Sequence, residues 1–244
     1  HRYLYKRVNG IFAISGFIKQ NIIETCPVSP EIVHLIPDGI DLEKFDASKT
    51  DIKAVRKSLG IAENLLLIGM AGRMTPGKGH EEFLESAAIL NSEFPGRLHF
   101  CIIGGASQGE DNYEADIRSL AQKLQIGNIT FTGQTDEPAR LIAALDILSF
   151  PSHNESFGLV LIEAMALNVP AAASGKSGVL DIVTDNETGL LFEPRNAKSQ
   201  AEAISRLINS SELRETLAQA ARKKVEANFD LEIMTAKLLE FYKL

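Results

Sequence analysis

Short apolar runs alternate with longer amphipathic stretches from Ile11 to about Asn209, and this alternation admits few folds. It predicts strands over Ile11–Ile14, Ile32–Leu35, Leu65–Met70, Leu98–Ile103, Ile129–Phe131, Ile147–Phe150 and Ala171–Ala173. Between and after them it predicts helices over Phe17–Glu24, Ile52–Leu59, Glu81–Ser92, Tyr113–Leu124, Pro138–Leu145, Gly158–Leu167, Leu180–Val183, Ala197–Ile208, Glu212–Asn228 and Leu231–Tyr242. Strands that alternate with helices pair in parallel and carry helices on both faces, and all-apolar strands such as Leu65–Ile68 fit burial on both sides. The expected fold class is α/β, a Rossmann-like parallel sheet with helices on both faces.

One stretch breaks the pattern. Ile36-Pro-Asp-Gly-Ile-Asp-Leu-Glu-Lys-Phe45 carries turn residues and no helical period. The strand–helix pair before it is too small to bury a core alone. The expected organisation is therefore a remnant of one domain over residues 1–32, a linker over 33–45 and an intact domain over 46–244. The chain opens on His1 and inside an apparent helix, so it is expected to be a piece of something longer. With 244 residues, 45% of them hydrophobic, it can bury a sizeable core. A net charge of −7 without a basic block argues against nucleic acid as the main partner and leaves room for a local cationic pocket. Cys26 and Cys101 are read as free thiols of a reducing compartment. No apolar run reaches the roughly 18 residues of a membrane span, and no signal-peptide pattern occurs.

Chemistry concentrates where strands end. After Leu65–Met70 comes Ala71-Gly-Arg-Met-Thr-Pro-Gly-Lys-Gly79, and then a helix. Gly72 lets backbone approach a ligand, the Arg73 fork can clamp phosphate oxygens, and Lys78 adds a point charge near a helix N-terminus. The segment reads as a diphosphate cradle, or else as a surface loop with two solvated cations. It is neither a P-loop, since Gly79 follows Lys78, nor a Gly-x-Gly-x-x-Gly dinucleotide fingerprint. Gly104-Gly-Ala-Ser-Gln-Gly109 could pass beside a nucleotide or be a plain turn. Thr132-Gly133-Gln134 could wall a base pocket through backbone groups. In Pro151-Ser-His-Asn-Glu-Ser-Phe-Gly158, Ser156 is expected to cap the next helix, with the amides of Phe157, Gly158 and Leu159 facing a ligand. His153 would touch a sugar or have no role.

Glu163 shares a helix face with Leu159, Val160, Ala166 and Leu167. A carboxylate on an apolar face needs hydrogen-bonding partners, which ribose hydroxyls would supply. Glu155 lies eight positions earlier, about 12 Å away at helical rise. Two such acids could hold the two ends of a long ligand, with phosphates between them. The plainer reading is a capping acid and a half-exposed helix glutamate; the cation loop favours the ligand.

With these residues in view, the chain resembles the retaining glycosyltransferases of the GT-B fold, the glycosyl transferases group 1. The resemblance rests on Ile36-Pro-Asp-Gly-Ile-Asp41 with Phe45, Gly72-Arg73 with Lys78-Gly79, Ile129–Gly133, the Glu-x7-Glu spacing of Glu155 and Glu163, Pro170, Gly175 to Gly178, and Gly189–Phe192. Asp38 departs from the family's frequent Asn. The resemblance implies one Rossmann-like half of a GT-B fold that binds a nucleotide-sugar donor, UDP-, GDP- or ADP-linked, with no cofactor and no metal. It implies catalytic roles for Arg73 and Lys78 on the diphosphate and Glu155 on the hexose. Gly72, Gly104, Thr132, Gly133, His153, Ser156, Phe157, Gly158 and Leu159 would line the donor site, and Glu163 would hold the ribose. The anomeric configuration would be retained, in cell-envelope polysaccharide or glycolipid synthesis. A glycan, lipid-linked or small-molecule acceptor would bind an absent N-terminal domain, which could also touch the inner face of the membrane. The protein would be cytoplasmic, and the apolar face of its last helix could promote homo-oligomers. The piece alone is expected to bind donor weakly and transfer nothing. Alternatives are a non-catalytic nucleotide-sugar-binding module and a GT-B sugar-nucleotide epimerase.

Overall fold

The computed structural model describes residues 7–107, 109 and 111–243, without the side chain of Asp111. Residues 1–6 of the expected N-terminal remnant, Gln108 of the second glycine loop and Leu244 lie outside the described residues. Six strands form one parallel sheet: β3 (Leu66–Ala71), β4 (Leu98–Ile103), β5 (Ile129–Phe131), β6 (Ile147–Phe150), β7 (Ala171–Ser174) and β8 (Leu190–Phe192), in the order β5-β4-β3-β6-β7-β8. The expected α/β class is thus met. β8 was not foreseen as a strand; it is three residues long and sits at the sheet edge, where the pattern of alternation is weakest.

Side chains alternate across the sheet. Leu67, Leu148, Phe150 and Ala173 point into one core, with α5 (Pro138–Ala143), α6 (Leu159–Ala166) and α9 (Ser211–Asn228). Ile68, Met70, Phe100 and Ile147 point into the other, with α3 (His80–Glu93), α4 (Asp111–Lys123) and α8 (Ala197–Asn209). Burial on both faces is what a parallel sheet requires. At the amino end of the sheet, Arg56 on α2 (Ile52–Ser58) pairs with Asp146 at 2.6 Å, and Asp146 accepts from the Leu67 amide at 2.7 Å.

Two further strands, β1 (Ile11–Ala13) and β2 (Val33–Leu35), pair in parallel around α1 (Gly16–Thr25). Helix α10 (Leu231–Phe241) covers them: Phe241 packs edge-on to Phe12 and His34 at 5.8 and 5.4 Å. The stretch expected to be a linker is firmly packed. Ile36, Ile40 and Phe45 are buried, the Ile40 amide donates to the Phe229 carbonyl at 2.9 Å, and the Leu231 amide donates to the Ile40 carbonyl at 3.0 Å. Among the described residues no helix is long and apolar enough to cross a membrane.

Candidate functional site

The strand order fixes where a ligand can sit. From β3 the chain proceeds outward to β4 and β5, then returns to β6 on the other side of β3 and proceeds outward again. Loops after β3 and β6 therefore diverge, and a crevice opens between them at the carboxyl end of the sheet. The Arg73 loop follows β3 and the Glu155 loop follows β6, so both lie on this crevice.

The loop after β3 is held from below. Gly72 takes φ +146°, and its amide donates to the Ile103 carbonyl at 3.0 Å. Met74 is fully buried and its amide donates to the Gly105 carbonyl at 2.8 Å. With its neighbours anchored, Arg73 is left exposed, and its side chain makes no hydrogen bond or ion pair with the described residues. Gly79, at φ +81°, lies so close to Pro151 that a Cβ there would be 2.3 Å from the Pro151 carbonyl oxygen. This contact joins the two loops and brings Lys78 to Glu155, Nζ to Oε2, at 2.6 Å.

The Glu155 loop is braced on three sides. The Gly178 amide donates to the Glu155 carbonyl at 2.9 Å, Ser177 donates to the Asn154 side chain at 2.6 Å, and the His153 amide donates to the Gly77 carbonyl at 2.9 Å. The His153 ring is turned to Glu82 of α3 at 2.7 Å rather than toward the crevice. The other oxygen of Glu82 is buried without a partner among the described residues. His153→Ala would strip the remaining contact, so a loss of about 1–3 kcal/mol is expected in urea unfolding; an unchanged midpoint would rule out this bracing role. His80, the first residue of α3, is buried beside Tyr113, and burial pushes its pKa down to about 4. It is neutral at pH 7 and adds no charge for a phosphate.

Ser156 does not cap α6. The helix begins at Leu159, and its N-cap is Gly158 at φ +113°, a left-handed turn that puts the cap two residues past the expected Ser156. Glycine at 158 is thus required by the backbone rather than merely tolerated in a first turn. The amides of Phe157, Gly158 and Leu159 donate to no acceptor among the described residues. Phe157 itself is buried, edge-on to Phe229 at 5.6 Å.

The crevice has two lobes. One, of about 340 Å³, is lined by Arg73, Lys78, Glu155, Gly158 and Leu159, and also by Asp38. The other, of about 550 Å³, is lined by Arg73, Gly104, Gln134, Thr135 and Glu163. Gly72, Arg73 and Val160 belong to both. Ser156 also borders the first lobe. Thr132 and Gly133 line neither: Thr132 accepts from the Gly104 amide at 3.2 Å and donates to the Gly133 carbonyl at 2.9 Å, so they shape the wall from behind. Sequence reading missed Asp38 and Thr135; of the expected wall Thr132-Gly133-Gln134, only Gln134 lines the lobe. Thr135 follows Gln134 beyond the carboxyl end of β5, and the same strand-end rule that found Arg73 would have found it.

Glu163 is half-buried on α6, and no hydrogen bond to its carboxylate is formed by the described residues. Burial raises its pKa above the ordinary 4.5, with Lys44 opposing. The folded state then holds this proton more tightly than the unfolded chain does. Its contribution to stability is complete below 4.5 and is lost as pH rises through the raised folded value. Glu163→Gln is accordingly expected to make the empty protein at least as stable at pH 7 and to flatten that decline, read from Tm between pH 4 and 8. A less stable variant at pH 7 would show that Glu163 already has a partner.

Known proteins place this geometry. The chain is 30% identical over 236 residues to the capsular polysaccharide biosynthesis glycosyltransferase CapM of Staphylococcus aureus, covering 95% of this chain and 60% of that protein. It therefore spans less than two thirds of that relative's length. A crystal structure of a glycosyltransferase from Rickettsia africae superposes with a TM-score of 0.91 at 25% identity, over 99% of this chain and 66% of that one. The fold is also that of Anabaena HepE, solved in complex with UDP and glucose, with a TM-score of 0.90 at 24% identity over 98% of this chain and 64% of that one. Residues 51–224, which carry both loops and both glutamates, match the family described as glycosyl transferases group 1, and the chain belongs to that family.

Proposed function

We propose that this chain binds the nucleotide-sugar donor of a retaining glycosyltransferase, which moves a hexose-type sugar to an acceptor hydroxyl. The observation that carries the reading is Arg73: a guanidinium unpaired among the described residues, at the junction of two lobes, with Lys78 and Glu155 in one and Glu163 in the other. The diphosphate would lie over Arg73 and the unpaired amides of Gly158 and Leu159. The hexose would fall to Glu155 and the nucleoside to the larger lobe, its ribose hydroxyls meeting Glu163. HepE, of the same fold, has been crystallised with UDP and glucose. As the sugar–phosphate bond breaks, negative charge grows on the departing diphosphate, and Arg73 and Lys78 are placed to stabilise it. The donor is UDP-, GDP- or ADP-linked, and no cofactor takes part. Residues 46–244 form the donor-binding unit, and acceptor contacts belong to a part of the protein beyond this chain.

A thermal-shift panel of UDP-, GDP- and ADP-sugars tests this. One nucleotide should raise Tm, since a ligand at 100 times its Kd stabilises by about 2.7 kcal/mol. Glu163→Gln should weaken that ligand about ten- to hundredfold, because hydrogen bonds to a charged acceptor contribute roughly 1.5–3 kcal/mol. If no nucleotide moved Tm, the donor-site reading would fall. Binding without any transfer by the longer protein would favour a non-catalytic module.

A further inference from the structure

Asp38 lies in the smaller lobe, although nothing in its turn-forming sequence marks it as a site residue. Its backbone is fixed on both sides. The Ile36 amide donates to the Ala13 carbonyl at 2.9 Å, and the Ile40 amide donates to the Phe229 carbonyl at 2.9 Å. Gly39 is pressed against the α9–α10 junction, where a Cβ would stand 2.8 Å from the Asp230 carbonyl oxygen. Asp38 is thus carried on a rigid crest between two buried isoleucines. Its carboxylate is half-buried, and it makes no hydrogen bond or ion pair with the described residues. Burial raises its pKa above the ordinary carboxylate value.

A half-buried acid without a partner is costly unless a ligand completes it. Ionised, it offers about four acceptor positions and no donor. The neighbouring acid, Glu155, already accepts from Lys78 and Ser152. Phosphate oxygens would be repelled by Asp38, so its complement is a hydroxyl-bearing part of a ligand.

Resting on the donor-site reading above, we propose that Asp38 selects the transferred sugar: its carboxylate accepts a hydrogen bond from a sugar hydroxyl in the Arg73–Glu155 lobe. The donor sugar is favoured over an acceptor because Asp38 shares its lobe with Glu155 and the Gly158 and Leu159 amides.

Titration calorimetry on the whole chain with UDP and UDP-glucose, GDP and GDP-mannose, and ADP and ADP-glucose separates the possibilities. In the pair that binds, Asp38→Asn should leave the diphosphate Kd within about twofold and weaken the sugar-bearing form about tenfold, the usual effect of one hydrogen bond to a charged group. Asn keeps the size of Asp, and an unchanged circular dichroism melt would show the fold intact. A change shared equally by diphosphate and nucleotide-sugar, or no change in either, would overturn the assignment and leave the donor site standing. If none of the three diphosphates bound the unmodified chain, the donor-site reading would fall and this inference with it.

Discussion

Arg73→Ala is expected to abolish nucleotide-dependent stabilisation while changing the stability of the empty protein by less than about 0.5 kcal/mol. The asymmetry follows from the structure. The turn that presents Arg73 is held by backbone bonds of Gly72 and Met74, whereas the guanidinium makes no hydrogen bond or ion pair with the described residues. On the proposed function, a protein that carries this chain and transfers sugar should lose about 10²–10³-fold in kcat, as when one preorganised donor is lost from a site of developing negative charge. Arg73→Lys should recover little, because an ammonium offers a point charge in place of a planar fork. A variant that lost Tm without ligand, or kept its ligand response, would contradict the role given to Arg73.

The second large effect is expected at Gly104. Its φ is +120°, and a Cβ there would stand 2.1 Å from the Gly72 carbonyl oxygen. Both parties are backbone at the ends of neighbouring strands, so no rotamer can relieve the overlap. Gly104→Ala should cost at least about 3 kcal/mol, combining dihedral strain with displaced main chain. Nucleotide response should disappear with it, because the displaced atoms are those that carry Arg73. Gly127→Ala is the control: a methyl there meets nothing within 4 Å, and φ is not positive. A loss below about 1 kcal/mol at Gly104 would mean that the two strand ends can part freely.

Much of this was legible in the sequence because periodicity and strand-end chemistry are local. Leu98–Ile103 and Ile129–Phe131 have the expected bounds, and Arg73, Lys78, Glu155 and Glu163 all border the crevice. What escaped was set by tertiary packing. Ser156 looked like a cap, but the left-handed turn at Gly158 moved the helix start. His153 looked like a ligand contact until α3 supplied Glu82. Asp38 sat in an apparent linker, and only its anchoring to Ala13 and Phe229 brings it to the lobe. No window of sequence contains those partners.

The Lys78–Glu155 pair has a consequence for which molecules can enter. Lys78 is already paired with an anion, Glu155, at 2.6 Å. A bare phosphate or sulfate that drew Lys78 away would leave Glu155 in a half-buried place with only the Ser152 hydroxyl at 3.4 Å, a cost that offsets the gain. A molecule that brings hydroxyl donors along with its phosphates can take the lysine and satisfy the glutamate in the same step. On the donor-site reading, the pair would act as an exchange partner that penalises bare inorganic anions and admits ligands joining a sugar to a phosphate.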